Sequence, residues 1–122
     1  MATHPYDATH DPPLPVLALL LSTPGDDDRI RLVGIADTGA DITVVPSTVA
    51  EALLAAIGTV RVAVVGGART SATLYRAQVE IDGASDVIEV AAWGDEIIVG
   101  RDLLNRCVAR FDGPRRVLEL TR

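Results

Sequence analysis

Leu32-Val33-Gly34-Ile35-Ala36-Asp37-Thr38-Gly39-Ala40-Asp41 is the stretch that decides the fold. An apolar run of strand character delivers one carboxylate, Asp37, into a tight Thr-Gly turn. A carboxylate at the end of a hydrophobic strand is costly unless something holds its charge or shares its proton. The pattern therefore marks either a strand end with an acidic turn or the floor of a site.

On the N-terminal side, Pro15 to Ser22 suits a buried strand, and Thr23 to Asp28 is a turn set by Pro24 and Gly25. The three aspartates of that turn lack the alternating spacing and distal Glu of a calcium loop, so they read as a solvated hairpin tip. Arg29 to Ala36 then returns as the strand that carries Asp37. On the C-terminal side, Ile42 to Val45 is a β-branched strand. A short helix follows over Val49–Ala56, with Ser47 or Thr48 as N-cap and Gly58 as stop. Strands are expected over 59–66, 70–81 and 86–92, joined by a Gly66-Gly67 tip and an Asp82-Gly83 turn. Trp93 to Glu96 is a loop, 97–100 a compact apolar strand, and 101–106 one or two helical turns. Cys107 to Phe111 and Val117 to Leu120 are the last strands, around an Asp112-Gly113-Pro114 turn. Seven or eight short strands with frequent turns predict an all-β barrel or sandwich.

Composition narrows the function classes. At 122 residues the chain is long enough for one core and too short for two. Hydrophobic residues make up 48% and aromatics 3%, so the core must be aliphatic. The formal net charge is −6 and every basic residue is Arg, which argues against nucleic acid as a partner and points to a GC-rich, bacterial genome. Cys107 is the lone cysteine, which excludes an intrachain disulfide and a cysteine-based zinc site. It reads as a small buried hydrophobe. No metal or organic cofactor is expected. The start has no basic region ahead of an apolar run, and Pro15 breaks the run over 14–21, which is far short of a bilayer span. The expectation is a cytoplasmic protein that does not engage a membrane. Residues 1–13, with three prolines, His4 and His10, are expected to be a flexible tail with solvated histidines, ahead of one domain over 14–122.

Asp37-Thr38-Gly39-Ala40 after an apolar strand, a hairpin with a Gly-Gly tip, and then Ile98-Val99-Gly100-Arg101-Asp102-Leu103-Leu104 together resemble the retropepsins, the retroviral-type aspartic peptidases of the pepsin clan. The resemblance spans about residues 14–120, in order. It implies a closed β-barrel with one or two short helices, working as a homodimeric aspartic endopeptidase on polypeptide held in extended form. Two carboxylates sharing a proton can act as base and acid at once, which is the established chemistry of the aspartic-protease dyad. With one Asp-Thr-Gly per chain, that pair needs Asp37 of each of two chains across a twofold axis.

The resemblance implies roles residue by residue. Asp37 is the acid/base, Thr38 holds the two loops together across the axis, and Gly39 makes the turn. Ala40, Asp41, Gly66, Gly67, Trp93 and Ile98 lie along the substrate, with Gly66 and Gly67 as the tip of a mobile flap. Gly100, Arg101 and Asp102 support the active loop, Arg101 by pairing with Asp41. Ala40 stands where many relatives carry Ser, which implies a milder working pH than that of the gastric enzymes; a gastric-type acid optimum would contradict this. The flap lacks the longer glycine-rich run of the viral enzymes, and the proline-rich start looks poor for the interleaved terminal strands that tie the viral dimer.

Other readings stand beside these. Asp37 can be a turn residue, Arg101–Asp41 a purely structural pair, Gly66-Gly67 an ordinary hairpin tip and Trp93 a core or surface aromatic. A dimeric peptide-binding or scaffold module of the same fold without activity is the alternative function. Processing of one dedicated partner is a third.

Overall fold

A computed structural model of the protein describes residues 1–63 and 66–122. Residues 64–65, which the sequence places in the strand before the Gly-Gly tip, lie outside the described residues. The first half comprises β1 (Ala2–Pro5), β2 (Val16–Ser22), β3 (Ile30–Ala36), β4 (Val44–Val45), α1 (Ser47–Leu53) and β5 (Ala55–Ala63). The second comprises β6 (Arg69–Ile81), β7 (Ala84–Ala92), β8 (Ile98–Val99), α2 (Arg101–Leu104), β9 (Val108–Asp112) and β10 (Val117–Thr121). Among the described residues no helix is long and apolar enough to cross a membrane.

The strands form a seven-stranded sheet in the order β2-β3-β8-β4-β7-β6-β5 and a three-stranded sheet in the order β1-β10-β9. β2 and β3 are the expected hairpin, paired antiparallel from Val16↔Ile35 to Leu21↔Ile30. β2 pairs with β6 as well, through Leu20↔Glu80 to Ser22↔Gln78. β3 runs parallel to β8 (Ile35↔Ile98, Ala36↔Val99), and β4 runs parallel to β7 (Val44↔Ala91). Hydrophobic burial drives this arrangement through strict alternation: Leu17, Leu19 and Leu21 of β2 and Tyr75, Ala77 and Val79 of β6 all point inward. Val45, Val90, Val99, Leu103, Leu104 and Leu118 complete a core that is aliphatic apart from Tyr75.

Several local expectations are corrected. The start of the chain is not a loose tail. β1 pairs antiparallel with β10 from Ala2↔Leu120 to Pro5↔Val117, and the Tyr6 N–H donates to the Arg116 carbonyl at 2.9 Å. Asp7 and Leu14 exchange backbone bonds at 2.8 and 3.1 Å. Pro5 is tolerated because it closes an edge strand, where a missing N–H breaks nothing. His4 is therefore buried rather than solvated, with Nε2 3.0 Å from Asp82 Oδ2 and Nδ1 accepting the Ala18 N–H at 3.4 Å.

Helix α1 ends at Leu53, earlier than its alanines predict. Ala55 and Ala56 pair with Arg76 and Tyr75 of β6 instead, so tertiary strand pairing overrides helix propensity. The helix has no Ser or Thr side-chain cap; Pro46 is the N-cap, and its carbonyl accepts the Val49 and Ala50 N–H groups, each at 3.0 Å. The β-branched run 42–45 yields only the two-residue β4, because Ile42 and Thr43 are drawn into the loop that follows Asp37.

Candidate active site

β3 hands the chain to Asp37 at the point where its parallel neighbour β8 ends. The Asp37 N–H donates to the Val99 carbonyl at 3.0 Å, one more rung of the ladder that the Ile35 N–H makes with the Ile97 carbonyl at 2.9 Å. The chain then turns sharply, with the Ala40 N–H donating back to the Asp37 carbonyl at 3.2 Å. Inside that turn the Gly39 N–H donates to Asp37 Oδ1 at 2.8 Å, which fixes the orientation of the carboxylate. A Cβ on Gly39 would sit 3.1 Å from the same oxygen, so a side chain there would crowd the carboxylate. Asp37 is half-buried, and among the described residues its Oδ2 has no hydrogen-bond partner.

The loop is held from outside by Arg101. Its backbone N–H donates to the Ala40 carbonyl at 2.8 Å, its Nη1 to the Thr38 carbonyl at 2.7 Å, and its Nη2 to Asp41 Oδ1. One guanidinium thus ties both limbs of the turn, a use for the fixed fork of Arg that the single point charge of Lys cannot copy. Thr38 is exposed, and among the described residues its hydroxyl has no partner within the chain. Asp41 is exposed as well and turns to Arg101. Gly100 explains why the two segments come so close: a Cβ there would lie 2.8 Å from both the carbonyl carbon and oxygen of Ile42 and 2.9 Å from the Ala40 oxygen.

Asp102 anchors the far side of the loop. Its Oδ1 accepts the Thr43 hydroxyl at 2.7 Å and its Oδ2 the Thr43 N–H at 2.9 Å. The same hydroxyl oxygen accepts the buried Gly100 N–H at 3.1 Å. Thr43 is 2% exposed, so these bonds are made away from water, where losing one is expensive. Sequence reasoning missed Thr43, which looked like one more β-branched strand residue. It missed Gly34 too, where a Cβ would meet Val99 Cγ2 at 2.7 Å; a glycine inside an apolar strand is the signal that another segment approaches closely.

The other expected residues make no hydrogen bond to this cluster among the described residues. Ile98 is half-buried on β8, between Ile35 of β3 and Val44 of β4. Trp93 is 40% exposed at the end of β7, its N–H donating to the Val45 carbonyl at 3.0 Å. Gly66 and Gly67 lie at the tip between β5 and β6 with φ of 100° and 84°, values that favour glycine. Structure thus gathers Asp37 to Asp41 with Gly100 to Asp102 into one bonded unit. Chemically, that unit offers one oriented carboxylate with one oxygen free, able to take or give a proton but not both at once.

No family model matches the chain, and no curated protein matches it by sequence. Solved structures do match. The solution structure of the simian foamy virus (mac) protease superposes with a TM-score of 0.54 at 23% identity, over 74% of this chain and 91% of that one. The EIAV protease, complexed with the inhibitor HBY-793, gives 0.58 at 21% identity, over 76% and 86%. A foamy viral protease-reverse transcriptase in complex with an RNA/DNA hybrid gives 0.58 at 20% identity, over 76% of this chain but only 12% of that longer one. The order and pairing of its strands, with the Asp37 turn at the end of β3, give this chain a retropepsin-like fold.

Proposed function

We propose that this chain is an aspartic endopeptidase that works as a homodimer, with Asp37 of each chain forming one catalytic pair. The observation that carries this reading is the Asp37 carboxylate itself, oriented by Gly39, clamped through Arg101 and left with Oδ2 free, on a retropepsin-like fold. A turn residue needs none of that support.

The chemistry follows from two carboxylates sharing a proton. The ionised one removes a proton from a water whose oxygen bonds to the scissile carbonyl carbon, while the neutral one donates to the carbonyl oxygen. The carboxyl that took the water proton then gives it to the amide nitrogen, while the other takes a proton from a diol hydroxyl. The C–N bond breaks, and a carboxylic acid and an amine leave, with the pair again sharing one proton. The unpartnered Thr38 hydroxyls would bond across the twofold axis and set the two carboxylates side by side. Extended polypeptide would lie between Ile98, Trp93 and the β5–β6 hairpin, which acts as the flap.

The three-stranded sheet supports a second copy of this chain as the partner. Of the two edges of this sheet, β1 ends in Pro5, which has no N–H to give, while β9 carries Val108 at 73% exposure and Phe111 at 40%. An exposed apolar edge with unpaired backbone groups invites another strand. In this reading the two β9 strands meet antiparallel, in place of the interleaved termini of the viral dimer.

Incubating the protein with a diverse peptide pool, beside Asp37→Asn, tests the function. Cleavage that the variant loses and a statine-type inhibitor blocks is expected. Equal behaviour of the two proteins would overturn the reading in favour of a silent peptide-binding module.

A further inference from the structure

The β5–β6 hairpin carries an arrangement that the reaction chemistry does not use. Residues 55–63 and 69–76 hold three arginines, Arg61, Arg69 and Arg76, and no Asp or Glu, in a chain with a formal net charge of −6. Their faces differ. β6 is unbroken from Arg69 to Ile81, and its Tyr75, Ala77 and Val79 are buried in the core. Residues two apart on a strand share a face, so Thr73, Ser71 and Arg69 lie on the Tyr75 face, while Ala72, buried at 5% exposure, lies on the opposite one. Thr73 pairs with Ala92, the last residue of β7, so that face runs on beyond the neighbouring strand. Arg61 pairs with Ser71 and Ala63 with Arg69, which puts Arg61 on the same face as Arg69. Arg76 has the opposite parity and sits across from exposed Glu89. Arg61 and Arg69 are exposed, and among the described residues neither has a carboxylate partner.

We infer that Arg61 and Arg69 form a cationic roof over the substrate cleft and select extended peptides carrying two acidic side chains at alternate positions. The inference rests on reading this hairpin as the flap. Arg61 and Arg69 are diagonal neighbours across the strand pair, so their side chains start about 7 Å apart. Side chains two apart on an extended peptide are also about 7 Å apart and point the same way. A guanidinium takes a carboxylate with two parallel hydrogen bonds, and a closed hairpin that excludes water strengthens each pair. Two like charges on one face of a hairpin with no acid of its own are unfavourable until a ligand neutralises them, which ties closure to an acidic peptide.

Binding to the full chain carrying Asp37→Asn tests this without any cleavage. Fluorescence anisotropy would compare labelled extended peptides that differ only by an Asp-x-Glu or an Asn-x-Gln segment. The acidic peptide is expected to bind about five- to tenfold tighter, the size of two partly shielded ion pairs. Added salt should erode that preference. Arg61→Gln with Arg69→Gln should bring the ratio close to one, while Arg76→Gln, on the other face, should leave it in place. Equal binding of the two peptides, binding of neither, or a preference that survives the double substitution would overturn the proposal. Absence of cleavage by the wild-type chain would count against the endopeptidase reading alone, because the selectivity is read from binding.

Discussion

The Thr43 hydroxyl donates to Asp102 Oδ1 at 2.7 Å while accepting the Gly100 N–H at 3.1 Å, so one buried side chain joins the loop after Asp37 to the segment that clamps it. Thr43→Val keeps the shape and removes both bonds, leaving the buried Gly100 N–H without a partner and Asp102 Oδ1 with the Leu103 N–H alone, at 3.0 Å. The expected loss is about 2 to 3 kcal/mol, seen as a lower denaturation midpoint at unchanged m-value. Thr43→Ser, which keeps the hydroxyl, should lose less than half as much. Equal losses for the two variants would show that the methyl, not the hydroxyl, matters.

Gly100→Ala pushes a Cβ to 2.8 Å from backbone atoms of Ile42, which cannot rotate away. We expect a cost of about 2 to 3 kcal/mol and loss of activity, since the Asp37 loop must shift. Gly34→Ala meets methyl groups of Val99 and Ile97, at 2.7 and 3.0 Å, which can repack, so it should cost about 1 kcal/mol and keep most activity. Thermal unfolding with an activity assay compares them; Gly100→Ala at wild-type stability would contradict the tight approach.

Asp86 on β7 accepts Arg122 through both oxygens at 2.6 and 2.7 Å and Arg106 at 2.7 Å. The Arg122 hydrogen bonds, helped by Arg106, hold its carboxyl below the ordinary aspartate value of 3.8. A group depressed in the folded state stabilises fully above its unfolded value, and that contribution fades as pH falls through the lower folded value. Asp86→Asn should therefore cost about 1 to 2 kcal/mol near neutral pH and flatten the acid limb of the stability curve. An unchanged acid limb would show that the cluster contributes nothing.

Val108→Asp with Phe111→Asp places charge on the free β9 edge without touching the core. Sedimentation is expected to show a shift towards monomer, with peptidase activity falling in parallel and the monomer fold retained by circular dichroism. A variant that stays dimeric would move the interface elsewhere.

Much of the fold was legible because aliphatic alternation is a local signal. The β2–β3 hairpin and the apolar strand into Asp37 could be read from their own residues, and Asp82-Gly83 announced a turn that the structure forms with φ of 52° and 82°. What escaped was set by distant partners. His4 and Pro5 look like tail residues until β10 supplies the ladder and Asp82 the hydrogen bond. Ala55 and Ala56 look helical until β6 claims them. Within the candidate site, the pairing of Arg101 with Asp41 was expected from the family resemblance, and the structure forms it. Thr43 could not be paired in advance, since nothing near it in sequence says that Asp102, 59 positions away, will be its partner.

The central claim is that Asp37 is half of a catalytic pair shared between two chains. Titrating Asp37→Asn protein into a fixed amount of wild-type chain, after equilibration well above the dimer dissociation constant, tests it most directly. If the pair is shared, mixed dimers are inactive, and activity per wild-type chain falls to about half at equimolar mixing and further with excess variant. Activity that stays constant as the variant is added would contradict the claim.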